Sequence, residues 1–401
     1  MEEIKNALTI HLYCKDEALA SLRWSIIVHN FKEVAFWGLE LYDSNMEQDV
    51  IHLLSRLWIS QIGFGSFRLL ESLSSVDISD RDAWVNYLMA WARVRIHDAT
   101  AFHLLLRGAS ESARWTPNVT HNKEYLGMKD ALEDCLRRGK LVDAWLIGRA
   151  VDPAEQWCLL EKLALSVGRS HELAVLRESE LSDCEQRAVA YTMVSLTSET
   201  WSTALKEINT TDPPIEVREA IDDWDAEDSL RKRRVFKVRA QAIGFITERS
   251  SQSRDVSSES QITDDLIDSL KQSMYWAPIL ENYMNGEDWL SDNAKEEFFD
   301  TFFPSRLHDI PDEWSEEERE KSHGRGLGRD PQVGQEWFLD SIFQKSVTLG
   351  IWKREPFAVG FVSDSTGESL DEIYEGLRAA SRGAMAAQFP MKPVQKVFTI
   401  T

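Results

Sequence analysis

From residue 15 to about residue 248 the apolar positions recur at helical spacing. Trp84, Tyr87, Leu88, Trp91 and Val94 fall at i, i+3, i+4, i+7 and i+10, which puts them on one face of a helix opened by Asp80 or Asp82. Val50, Leu53, Leu54, Leu57 and Trp58 form a second stripe. It is expected to end near Gly63 and Gly65, where glycine accepts the left-handed C-cap conformation. Both stripes read as core faces. Helix starts carry their own chemistry. Asp152-Pro153-Ala154-Glu155 supplies an N-cap, a proline at the first helical position and a returning glutamate, and Ser182 with Glu185, Ser315 with Glu318 and Ser369 with Glu372 share the capping-box spacing.

Between residues 124 and 224 such starts crowd together. Turns at Arg138-Gly139, Asp152-Pro153, Gly168 to Ser170, Glu180 to Asp183 and Asp212-Pro213-Pro214 separate helices of roughly 10 to 15 residues, a spacing that suits antiparallel pairs stacked on one another. No exact repeat is found. Strand patterns are confined to 357–362 and 393–400. Residues 249–262 hold six serines and no aromatic residue, the composition of a flexible linker. The expected fold is all-α. An N-terminal helical bundle (1–115) runs into a helical-hairpin array (116–248), and the linker (249–262) leads to a smaller, mostly helical C-terminal region (263–401) with helices near 263–285, 292–300, 331–350 and 369–382.

Composition narrows the function more than the fold. With 43% hydrophobic and 28% charged residues the chain can build a core, and fifteen tryptophans, most of them inside the periodic segments, read as packing. The formal net charge of −22 disfavours binding to nucleic acid through a broad basic face. The first thirty residues lack a basic n-region and an apolar core, which predicts an intracellular protein, cytoplasmic or nuclear and not secreted. No apolar run is long enough for a membrane helix. Four cysteines without ligand spacing are expected to be small buried hydrophobes, and no metal or cofactor is expected.

Catalytic signatures are missing from the sequence. There is no GxSxG elbow, no GxxxxGK[ST] loop, no strand followed by GxGxxG and no HExxH pair. Two basic islands interrupt the acidic background. Arg231, Lys232, Arg233, Arg234, Lys237 and Arg239 follow the acidic run 216–228, and they read either as its charge partners on a solvated face or as an anion or nucleic-acid contact. Lys321, His323, Arg325 and Arg329 surround alternate glycines whose backbone N–H groups could turn toward an anion; docking on the protein's own carboxylates is the other reading. His308, Asp309, Asp312, Glu313 and His323 are the nearest approach to an acid–base cluster, and equally a solvated acidic loop.

Ser21-Leu-Arg-Trp-Ser-Ile26, Ala35 to Ser44 and Leu53 to Gly63, with Asp309 to Ser315 and Lys321 to Gly324, resemble an all-helical protein family of large nucleocytoplasmic DNA viruses. The N-terminal stretches are also similar to the helical oligomerisation region of clamp-loader-related AAA+ ATPases, though no ATPase motif accompanies them. The first resemblance implies a viral protein and carries no activity with it. The second implies oligomerisation or attachment to a replication complex. Trp24, Phe36, Trp37 and Trp58 are then either the core of the N-terminal bundle or an aromatic protein interface. The expected function is a non-enzymatic helical scaffold or adaptor with protein partners and no membrane. The alternative is a replication-associated accessory factor touching nucleic acid through the 231–239 island.

Overall fold

A computed structural model describes residues 7–76, 80–94, 98–109, 127–206, 217–219, 221–222, 266–284, 286 and 290–304. Among these residues the fold is all-α, and the β contact is a single antiparallel bridge between Leu8 and Cys14. The helices are α1 (Lys15–Ile27), α2 (Phe31–Asp43), α3 (Glu47–Leu57), α4 (Phe67–Ser72), α5 (Arg81–Arg93), α6 (Thr100–Ala109), α7 (Met128–Arg137), α8 (Leu141–Gly148), α9 (Pro153–Ser166), α10 (Ser170–Glu178), α11 (Asp183–Ser195), α12 (Ser198–Ala204), α13 (Trp276–Met284) and α14 (Asp292–Phe302). The basic islands, the strand patterns, the cluster at 308–323 and the helices expected at 331–350 and 369–382 lie outside the described residues.

Local chemistry explains the starts. The Asp80 carboxylate accepts from the N–H groups of Asp82 and Ala83 at 2.9 and 3.3 Å, Asp152 accepts from Ala154 ahead of Pro153, and Ser182 with Glu185 closes a complete capping box. Two stops follow from glycine as well: Gly139 and Gly168 take φ of 71° and 72° after α7 and α9.

The end of α3 departs from expectation. The helix runs on as a π-turn, Trp58–Ile62, and Gly63 then turns the chain with φ 47° and ψ −133°, outside the left-handed helical well, into a short 3₁₀ turn (Gly63–Gly65). The helix expected over 263–285 is also broken. Residues 266–270 are helical, the chain then turns, and the Ser273 hydroxyl accepts from the Trp276 N–H at 3.3 Å to start α13.

One hydrophobic core extends from Ala7 to Val217 and takes in α1 through α12. It crosses the expected division between residues 115 and 116. Trp201 of α12 lies 5.9 Å from the Phe64 ring and 5.6 Å from Phe67, and Arg56 of α3 pairs with Glu185 of α11. Bundle and array therefore form one packed body. A second, smaller core joins Leu8 and Leu12 to Leu266, Leu270, Trp276, Leu280, Phe298 and Phe303, so the start of the C-terminal region docks on the N-terminal segment.

Candidate functional site

The sequence of α1, KDEALASLRWSII, does not sort polar from apolar residues onto opposite faces. The helix packs against α2, α3 and α5, and ten of its thirteen residues are buried, among them Glu17, Ser21, Arg23 and Ser25. Polar groups placed there must be bonded to be tolerated. The result is a sealed polar seam where α1, α2 and the π-turn meet.

Arg23 is the cation of that seam. Its Nη2 donates to Ser60 Oγ at 3.2 Å, and the Ser60 hydroxyl donates in turn to the Arg56 carbonyl at 2.7 Å. Burial pulls the guanidinium down from its ordinary value to about 9. Ser60 is presented by the π-turn, a distortion that recurs at functional positions in helices. The neighbouring Gln61 is also buried, and its Nε2 has no hydrogen-bond partner among the described residues. Across the α1–α2 contact, the Ser25 hydroxyl reaches the Glu33 carboxylate at 3.3 Å.

Asp98 holds the turn that follows. Its carboxylate accepts from the N–H of Thr100 at 2.9 Å, the Thr100 hydroxyl at 2.5 Å and the Phe64 N–H at 3.4 Å, while its own N–H donates to the Ile62 carbonyl at 3.1 Å. Burial raises the acid's pKa, partly opposed by these hydrogen bonds. A Cβ on Gly63 would stand 2.0 Å from the Asp98 carbonyl oxygen, so glycine is required there by contact as well as by its backbone angles.

His11 and Glu40 complete the set. His11 Nδ1 lies 2.5 Å from Glu40 Oε2, and the His11 backbone N–H donates to Oε1 at 3.0 Å. A carboxylate that orients an imidazole is the arrangement of a catalytic base. At 3% and 0% exposure, however, the pair meets no solvent. As folded it clamps residues 7–14 to α2.

The residues singled out in the sequence fare differently. Trp24, Phe36, Trp37 and Trp58 are 9%, 3%, 0% and 0% exposed, so a partner cannot reach them and the interface reading of these four is corrected. The reason is visible in their contacts. Trp37 sits edge-on to Phe36 and Tyr13, both centroids at 4.9 Å, and the Trp58 indole N–H donates to the Ser66 carbonyl at 2.8 Å. Of the four cysteines, Cys135 is buried and Cys14 half-buried, whereas Cys158 and Cys184 are exposed, which corrects the expectation that all four are buried. No group of three or more His, Cys, Asp or Glu side chains among the described residues is placed to hold a metal ion. No helix among them is long and apolar enough to cross a membrane.

Sequence reasoning missed His11, Arg23, Glu40, Ser60, Gln61 and Asp98. For two of them a signal existed: Glu40 lies between Leu39 and Leu41 in an otherwise apolar segment, and Arg23 lies between Leu22 and Trp24. Comparison with family models, curated proteins and solved structures finds no match.

Proposed function

We propose that the chain is a non-enzymatic helical scaffold that carries protein partners on the outer faces of α7, α9 and α10. The observation that supports this most directly is the character of α9. Its inner face enters the core through Trp157, Leu160 and Leu163, while its outer face ends in Leu165, 74% exposed, followed by the exposed Val167. An apolar point rimmed by ordered charge resembles the layout of a binding hot spot. The rim is built from Glu133, which pairs with Arg137 at 2.8 Å and Lys162 at 3.0 Å, and from Glu161, which pairs with Arg177 at 2.7 Å. Such exposed pairs add little stability. Their contribution is to hold side chains in place before a partner arrives. Among the buried polar groups, the Arg23–Ser60, Ser25–Glu33, His11–Glu40 and Asp98–Phe64 bonds each fasten one element to another, which fits a rigid frame. The viral part of this reading rests on the sequence resemblance.

The test is cross-linking mass spectrometry of the native complex with the wild type and Leu165→Asp compared. The expected result is a partner cross-linked to α7, α9 or α10 and lost in the variant, whose circular dichroism and melting stay unchanged because Leu165 is outside the core. A monomer without cross-linked partner, or equal recovery with the variant, overturns the proposal.

A further inference from the structure

The turn that leads from α7 into α8 returns, bond for bond, between α9 and α10. Gly139 takes φ 71°, its N–H donates to the Leu136 carbonyl at 3.2 Å, and the Lys140 N–H donates to the Cys135 carbonyl at 2.9 Å, the two bonds of a Schellman motif. Gly168 repeats this with φ 72°. Its N–H donates to the Leu165 carbonyl at 3.3 Å, and the Arg169 N–H to the Ala164 carbonyl at 2.8 Å. The short helices that follow open alike, with Ala144 N–H on the Lys140 carbonyl at 2.9 Å and Leu173 N–H on the Arg169 carbonyl at 3.1 Å. They also close alike, with Ala150 N–H on the Ile147 carbonyl at 2.9 Å and Ser179 N–H on the Leu176 carbonyl at 3.2 Å.

The joint from short helix to long helix recurs as well. Val151 and Leu181, both buried, stand before the N-caps Asp152 and Ser182, and each cap is followed at its third and fourth positions by glutamate and glutamine. The glutamine turns back in both cases. Gln156 Nε2 donates at 2.8 Å to the Gly148 and Val151 carbonyls, and Gln186 Nε2 donates to the Arg177 and Ser179 carbonyls at 3.3 and 3.1 Å. Gly148 and Arg177 hold the same position in the two short helices. Carbonyls of a last helical turn lack an intrahelical partner, so the glutamine satisfies them while tying the long helix to the end of the short one. A glycine stop alone is common to many helices. A glutamine that reaches back to the same carbonyl in successive hairpins is not required by helix geometry. Along the long helices the core positions coincide too, Leu159 with Val189, Leu160 with Ala190 and Leu163 with Met193, all buried.

We infer that residues 139–165 and 168–195 are two copies of one helical-hairpin unit, and that the glutamine joint of each copy fixes its short helix on its long one. The likeness is hidden in the sequence because Glu180 adds one residue to the second copy and most side chains at matched positions differ. The copies differ where their surroundings do: Cys158 and Lys162 are exposed on α9, whereas Ala188 and Thr192, at the same positions of α11, are buried. This inference stands apart from the scaffold reading, because it needs no partner at α7, α9 or α10.

A graft in the full chain tests it. Ala150–Gln156 is replaced by the sequence of Ser179–Gln186, beside a control in which the inserted residues are scrambled. The graft is expected to keep a cooperative urea transition and to leave hydrogen exchange in α8 and α9 within about threefold of the wild type, while the scramble loses protection in both helices. In a second measurement, Gln156→Leu should speed exchange in the last turn of α8, and Gln186→Leu that in the last turn of α10, each by about threefold to tenfold. A graft as damaging as the scramble, a scramble as well tolerated as the graft, or either leucine variant with its own short helix unchanged overturns the proposal.

Discussion

Asp98 occupies a position where a carboxylate does what no neutral side chain of its size can do. It accepts three hydrogen bonds, from Thr100 twice and from Phe64, and so stitches the turn after the π-segment to the start of α6. Burial holds its pKa above the ordinary carboxylate value near 3.9. The sign follows from proton counting. Between the unfolded value and the raised native value the folded chain binds more protons than the unfolded one, so Asp98 makes stability fall as pH rises through that window and recover on acidification. Asp98→Asn removes the titration and turns an N–H toward the Phe64 donor. The difference in unfolding free energy between wild type and variant, measured by urea titration across the acidic range, is expected to shrink with rising pH through that window. A difference independent of pH would show that Asp98 does not titrate differently in the two states.

At the scale of elements, helix starts were legible because their causes are local: a cap, a proline or a returning glutamate lies within four residues of the start it sets. The π-turn was not legible, since its causes lie far along the chain. The Trp58 indole bonds to Ser66, Arg23 to Ser60, and the Asp98 carbonyl occupies the space beside Gly63. The α9–α11 contact was equally hidden. There the Tyr191 hydroxyl donates to Gln156 Oε1 at 2.8 Å, while Gln156 Nε2 donates at 2.8 Å to the carbonyls of Gly148 and Val151. Neither Gln156 nor Tyr191 stands out in sequence, yet together they join α8, α9 and α11. Tyr191→Phe leaves a buried acceptor without its donor and should cost about 1–3 kcal/mol. Gln156→Leu strands the tyrosine hydroxyl and the Val151 carbonyl, while the Gly148 carbonyl keeps the Val151 N–H at 3.0 Å, and should cost more. The two changes are expected to couple, with the double variant less destabilised than the sum of the singles, as a double-mutant cycle by urea denaturation would report. Strict additivity would mean that the two side chains act independently.

Across the whole molecule, what the sequence left unread was the joining of its parts. Residues 1–115 and 116–248 look separable because helix lengths and turn spacing change near their border, whereas packing is set by which faces meet. Phe64, Phe67 and Trp201 meet ring to ring, Arg56 pairs with the capping glutamate of α11, and the cation of Arg169 lies 4.7 Å above the Trp201 ring while bonding the last carbonyls of α11. Arg169 is buried and its pKa is lowered by that burial, so its hold on α11 depends on the closed aromatic wall around it. Loosening either half removes the partner of the other. Residues of α1–α12 should therefore unfold as one cooperative unit, with urea midpoints from hydrogen exchange in α2 and in α11 that coincide. Trp201→Ala is expected to lower both midpoints together, by the cost of a large buried aromatic, about 3–5 kcal/mol. If α11 lost protection at a lower urea concentration than α2, or if Trp201→Ala moved one midpoint alone, the two halves would be separate folding units, and the shared core would be a contact between finished domains.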